Sequence, residues 1–242
     1  MIQIVFWDVD GTLLDFLAAE KAAVKRCFEI FHLGPCTDEM IAQYSSINVR
    51  YWEMLERGEM TKQQILVGRF AEFFRVRGLD PSVAPAFNDE YQLRLGDTIC
   101  FFPGALETVR ALKARGIVQC AATNGTKVAQ DRKLRNSGLD QLFDHIFISE
   151  EMGCEKPGGA FFDRALAAVG DYSRSEVLIV GDSLTSDMTG GVNAGIHTCW
   201  FNPGGAVNRR GLPIEHEITQ LHQVLALVCP QGNAAQKRNS EE

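Results

Sequence analysis

The chain has 242 residues, 45% hydrophobic and 23% charged, which is ample for a full-sized buried core and excludes disorder for its bulk. Lysine and arginine number 24 against 31 aspartate and glutamate, a formal charge of −7. No global basic field therefore exists to hold a nucleic-acid polymer or an anionic membrane, and a small-molecule partner is expected. Apolar runs are short, and the chain opens directly on strand-like residues 2–7, so neither a membrane span nor a leader is expected and the protein is read as cytoplasmic. Seven scattered cysteines without a C-x-x-C pair read as reduced thiols, and five scattered histidines form no ligand spacing.

In chain order, the opening strand is followed by apolar residues at three- and four-residue spacing, which predicts helices over 17–31, 37–55, 61–77 and 83–95. Gly34-Pro35 with Thr37, Gly58 before Thr61, and Gly78 with Asp80-Pro81 punctuate them. From Pro103 the rhythm changes: a helix closed by Gly116, a strand over 117–122, a helix over 127–136 stopped by Gly138, and a strand over 146–149. A helix over 160–169, a wholly apolar strand over 177–180, a helix over 187–194 and a strand over 198–201 continue the alternation. A last helix, 219–228, precedes a polar tail expected to fray.

Alternating strands and helices with near-continuous apolar strands predict an α/β fold, a parallel sheet covered on both faces. Because the first strand must rejoin the later ones, residues 16–95 are expected to form a helical insertion in a core of 1–15 and 96–230, with 231–242 as tail. The charged stretches 107–115 and 131–135 read as solvated helix faces.

In an open α/β sheet, ligands bind beyond the carboxyl ends of the strands. Four such ends carry polar residues: Asp8-Val9-Asp10-Gly11-Thr12, Thr123-Asn124-Gly125, Lys156-Pro157 and Gly181-Asp182 through Asp187. Each alone could be an ordinary turn or loop. Together they bring four carboxylates and one lysine toward one place, a self-repelling set that a hard divalent cation with oxygen ligands, Mg²⁺ first, would relieve. The absence of nitrogen and sulfur ligands disfavours zinc or copper.

The D-x-D-x-T start, the strand ending in Thr123, Lys156-Pro157 and G-D-x-x-x-x-D resemble, in order and spacing, the four motifs of the haloacid dehalogenase superfamily. The resemblance implies a Rossmann-like core with residues 16–95 as an α-helical cap, and a phosphoric monoester hydrolase. Within the superfamily, residues 46–52, 123–125, 181–187 and 199–203 look like the pyrimidine nucleoside monophosphate 5′-nucleotidases. Carried over residue by residue, Asp8 is the implied nucleophile that becomes an aspartyl-phosphate, and Asp10 the implied acid and then base. Thr123 and the Asn124 backbone N–H, expected at the start of a helix where donors and dipole favour an anion, would hold the phosphoryl group, and Lys156 would neutralise charge. The implied Mg²⁺ ligands are Asp8, the Asp10 main-chain carbonyl and Asp182, with Asp187 either ligating through water or orienting Lys156.

Substrate choice is assigned to the cap, where Asn48, Arg50, Tyr51 and Trp52 offer stacking and hydrogen bonds to a pyrimidine; Tyr51 and Trp52 could equally be cap core. The expected partner is a small phosphate monoester, a nucleoside monophosphate first, with the protein a monomer or homodimer. Competing readings are a sugar-phosphate phosphatase or phosphomutase of the same superfamily, and a non-catalytic phosphate-binding regulator. A phosphorylated receiver domain is disfavoured by the helical insertion and the D-x-D.

Overall fold

The apolar runs of the later sequence join the first strand in one sheet. In the computed structural model, which describes residues 1–229, six strands lie parallel: β1 (Ile4–Trp7), β2 (Val118–Thr123), β3 (His145–Ile148), β4 (Val177–Gly181), β5 (His197–Phe201) and β6 (His216–Ile218). Their order is β3-β2-β1-β4-β5-β6. Registers such as Trp7 beside Ala121 on one side and Val180 on the other place the carboxyl ends of β1, β2 and β4 level with one another. The chain runs outward from β1 through β2 to β3 and then crosses back to β4, so the crevice where ligands bind in such sheets opens at β1 and β4. The expected tail, 231–242, lies outside the described residues.

Side chains alternate across the sheet with period two. Val5 and Trp7 share a buried cluster with α5 (Ala105–Lys113), α6 (Lys127–Ser137) and α10 (Val224–Val228). Ile4 and Phe6 share the opposite cluster with α8 (Gly159–Val169) and α9 (Thr189–Ala194). Both faces are thus covered, as the unbroken apolar strands predict. β6 was not anticipated; a three-residue strand with one fully buried side chain, Ile218, is too short to show a period.

Between β1 and α5 lie α1 (Phe16–Ile30), α2 (Asp38–Glu56), α3 (Lys62–Arg77) and α4 (Ala84–Leu95). Asp15, Thr37 and Thr61 cap the first three, Thr61 through a capping box with Gln64. These helices enclose an aromatic core of their own in which Tyr44 stacks on Phe70 at 4.7 Å, with Phe28, Phe73, Phe74, Phe87 and Tyr91 around them. Burying each such ring contributes about 1.5–3 kcal/mol relative to exposure. No helix among the described residues is long and apolar enough to cross a membrane, and all seven cysteines are free thiols.

Two departures bear on the site. The segment after β4 is a π-helical turn, Leu184–Met188, before α9 begins at Thr189, whereas the sequence predicts a helix from 187. A short helix, α7 (Ser149–Met152), follows β3 directly.

Candidate active site

The carboxyl ends of β1, β2 and β4 and the face of α2 enclose a cavity of about 330 Å³, lined by Asp8, Asp10, Thr123, Asn124, Lys156, Asp182 and Asp187 on the side of the sheet and by Asn48, Trp52, Glu56, Arg69 and Gln92 from α2, α3 and α4. The polar residues of all four motifs therefore meet in one place, although up to 179 residues of sequence, from 8 to 187, separate them.

Lys156 is the electrostatic centre. Its Nζ donates to Asp8 Oδ1 at 2.8 Å, Asp187 Oδ1 at 2.6 Å and the Ala122 carbonyl at 2.5 Å. Burial by itself would lower the Lys156 ammonium, but the Asp187 and Asp8 carboxylates outweigh it and hold it above the ordinary lysine range. Burial pushes the Asp8 carboxyl up to about 7, against the opposing pull of Lys156. Desolvation, then the charges of Asp8 and Asp187, push Asp182 up as well. Thr12 ties the two acids together: its Oγ1 lies 3.2 Å from Asp8 Oδ2 and 3.3 Å from Asp182 Oδ1 and accepts the Asp182 N–H at 3.0 Å.

Two glycines make this crowding possible. Gly11 has φ of 94°, and a Cβ there would collide with the Asp182 carboxylate; a Cβ at Gly181 would collide with that of Asp187. The π turn lets Asp187 Oδ2 accept the Ser183 N–H at 3.1 Å while Oδ1 accepts from Lys156.

Carboxylate oxygens of Asp8, Asp182 and Asp187 lie within 4.8 Å of one another. One ammonium cannot neutralise three clustered carboxylates, two of which are held above their ordinary range. An oxygen-only donor set with residual negative charge fits a hard divalent cation such as Mg²⁺. The Asp10 side chain is not in this set; it turns toward α6, where Gln130 Nε2 donates to Oδ2 at 2.7 Å and Lys133 Nζ to Oδ1 at 2.5 Å.

Several sequence expectations need correction. Residues 131–135 are not wholly a solvated face, because Lys133 is 1% exposed and paired with Asp10. The signal was present: Ala129, Gln130, Lys133 and Leu134 fall on one helical stripe, which is the buried one. Asn124 is not at a helix start, since α6 begins at Lys127 with Thr126 as its cap. Its side chain instead ties the Lys156 loop, donating to the Lys156 carbonyl at 2.7 Å and accepting the Lys156 N–H at 2.9 Å. Thr123 Oγ1 accepts the Gly125 N–H at 3.0 Å beside the cavity.

Of the four residues assigned to substrate choice, Asn48 and Trp52 line the cavity and Arg50 and Tyr51 do not. The helical period is the reason: Asn48, Trp52 and Glu56 stand at i, i+4 and i+8 on the inner face of α2, which turns Arg50 outward to pair with Glu72 and Tyr51 onto α3 beside Gly68. Sequence reasoning missed Arg69, 1% exposed, whose Nη1 donates to Asn48 Oδ1 at 2.6 Å and Nη2 to Asn88 Oδ1 at 3.3 Å. Asn48 in turn donates to Glu20 at 2.7 Å, and burial holds that carboxyl above its ordinary value against hydrogen bonds from Ser45 and Asn48 and the charge of Arg69. It also missed Glu56, whose Oε2 is buried without a partner among the described residues.

A parallel α/β core that gathers acids and a buried lysine at its strand ends beneath a helical roof has the makings of an enzyme site, with candidate nucleophile, proton carrier and electrostatic stabiliser lining one cavity. The model of the haloacid dehalogenase-like hydrolases matches residues 5–201, and the chain belongs to this family of hydrolases as one of its phosphatases. It is 34% identical to the HAD-hydrolase family protein YfnB of Bacillus subtilis over 220 residues, 91% of this chain and 92% of that one. It is 31% identical to the pyrimidine 5′-nucleotidase YjjG of Escherichia coli, over 93% of this chain and 97% of that one. With the pyrimidine 5′-nucleotidase PynA of Streptococcus pneumoniae the figures are 30%, 92% and 93%. A crystal structure of YfnB bound to magnesium, described as revealing interdomain movement, superposes with a TM-score of 0.88 at 32% identity, covering 94% of this chain and 99% of that one.

Proposed function

We propose that the protein is a Mg²⁺-dependent, cytoplasmic 5′-nucleotidase that hydrolyses pyrimidine nucleoside and deoxynucleoside monophosphates through an aspartyl-phosphate. The observation that carries the reading is the Asp8–Lys156–Asp187 chain at the floor of a cavity whose roof is polar and aromatic. In this reading residues 16–95 act as a cap over a core made of 1–15 and 96–229.

An Asp8 carboxylate oxygen attacks phosphorus, and the bond to the leaving oxygen breaks with its electron pair. Asp10 gives that oxygen its proton, then takes a proton from the water that attacks the aspartyl-phosphate and returns the Asp8 carboxylate and inorganic phosphate. Lys156 holds Asp8 in place and offsets charge on the transferring group, and Thr123 and the Asn124 backbone N–H receive its oxygens. Asp8, Asp182 and the Asp10 main-chain carbonyl would hold Mg²⁺, with Asp187 next to them. When bound, the ion supplies positive charge to a phosphoryl group that Lys156 alone cannot neutralise.

Hydrogen-bond accounting at the roof supports a pyrimidine. Asn48 Oδ1 already accepts from Arg69, and Gln92 Oε1 accepts from Thr126 at 2.7 Å. Asn48 Nδ2 also donates to Glu20 at 2.7 Å and Gln92 Nε2 to Asn88 at 3.0 Å, so each amide keeps one N–H and one acceptor position, a mixed set that suits the carbonyl oxygens and ring-nitrogen edge of a pyrimidine, and Trp52 offers a face for stacking.

The test is phosphate release with Mg²⁺ across nucleoside monophosphates and sugar phosphates, with Asp8→Asn as the blank. Pyrimidine monophosphates are expected to rank first. A sugar phosphate in first place would retain the mechanism and overturn the nucleotidase assignment, and turnover by Asp8→Asn would overturn the mechanism.

A further inference from the structure

We propose that Lys133 and Gln130 are positioning residues that aim Asp10 at the leaving group. The proposal rests on Asp10 being the acid and base of the reaction, as argued above. Residues 130 and 133 stand three apart on α6 and project to the same side. They are 0% and 1% exposed, and they place one N–H donor on each oxygen of the Asp10 carboxyl, at 2.7 and 2.5 Å. A buried ammonium is costly without a partner, and Asp10 is the one carboxylate that Lys133 pairs with among the described residues. The Phe16 ring, 5.1 Å from Nζ, closes the other side.

This arrangement suits a proton carrier. Each carboxyl oxygen has two lone-pair positions, and the clamp takes one of each. The Asp10 side chain keeps 21% of its surface open beside the cavity, so its remaining edge can carry the proton for the leaving oxygen and later take one from water without the group turning. Gln130 also lines the cavity, and its Oε1 is buried without a partner among the described residues. The clamp is joined to the roof: Thr126, which caps α6, donates to Gln92 of α4. The helix that aims Asp10 is thereby registered against the element that contacts the leaving group.

The experiment compares two esters in rapid-quench kinetics. In p-nitrophenyl phosphate the phenolate departs without a proton; the best alkyl monophosphate from the panel above needs one. Lys133→Met keeps the side-chain stem and removes the cation, Gln130→Met removes the second donor, and Asp10→Asn is the reference. Acid–base catalysis contributes about 10²- to 10⁴-fold, so Lys133→Met is expected to lower kcat on the alkyl ester about 10²-fold with KM unchanged. On p-nitrophenyl phosphate it should leave the first turnover within about threefold of wild type and give a burst near one equivalent, because loss of an aligned base delays only the hydrolysis step. Gln130→Met should show the same pattern at smaller amplitude and decides the matter if Lys133→Met does not fold. Equal losses on both esters without a burst, in whichever clamp variant folds, overturn the clamp. If Asp10→Asn itself lacks the leaving-group dependence, the acid–base reading falls, and this proposal with it; a dependence in Asp10→Asn that both clamp variants lack overturns the clamp alone.

Discussion

Replacing Lys156 by methionine keeps the length of the side chain and removes the one cation that touches both Asp8 and Asp187. Removing one partner of a buried ion pair typically costs about 3–5 kcal/mol, because the remaining charge stays buried. Here the cost has two parts. The Ala122 carbonyl and the Asp187 carboxylate lose a donor at every pH. The part borne by Asp8 depends on pH. In the wild type its carboxyl is already raised from 3.8 to about 7, chiefly by burial, so without metal the folded state binds more protons than the unfolded one between those values and stability falls as pH rises across them. Loss of Lys156 removes the main lowering influence and moves the upper edge of that window above 7. Below it both proteins carry a protonated Asp8, and the difference between them narrows; each unit of further rise adds about 1.4 kcal/mol at high pH. Urea unfolding in EDTA at pH 5.5 and 8.5 reads this directly. A deficit of about 3–5 kcal/mol is expected at pH 8.5, smaller by about 1 kcal/mol or more at pH 5.5. A deficit that is the same at both values, or below about 1 kcal/mol at pH 8.5, would refute the assignment of Lys156 as the partner that keeps Asp8 charged.

Three further outcomes follow from the same geometry. Asp8→Asn should lose turnover yet unfold no more easily than wild type in EDTA near pH 8, since it removes a carboxylate that burial disfavours; a large fall in melting temperature would contradict this. Mg²⁺ added to chelated protein should restore activity and also raise the melting temperature, by an increment corresponding to about 2.7 kcal/mol at one hundred times its Kd, and Asp182→Asn should reduce that increment. Asn48→Leu should raise KM for pyrimidine monophosphates while p-nitrophenyl phosphate, which lacks the ring carbonyls, is affected least; equal changes in both would remove Asn48 from base recognition.

The sequence by itself determined the layer architecture and the floor of the site. Strands 177–180 and 118–122 are apolar at every or nearly every position, and only a sheet buried on both faces demands that. The polar residues that follow each strand stand where a parallel sheet collects its ligands, so Asp8, Lys156, Asp182 and Asp187 could be placed together from local pattern alone. The tertiary structure decided what depends on orientation about a helix axis and on partners distant in the chain. Arg50 and Tyr51 sit beside Asn48 and Trp52 in sequence, but a rotation of 100° per residue carries them off the cavity face. Lys133, by composition an ordinary surface lysine, is buried because Asp10, 123 residues away, supplies its counter-charge. Arg69 enters the roof only where α2, α3 and α4 pack together and surround it with Asn48, Asn88 and aromatic rings. Apolar period and turn chemistry are local properties of the chain; the burial of a charge is a property of the pair that neutralises it, and such pairs form only when the chain has folded.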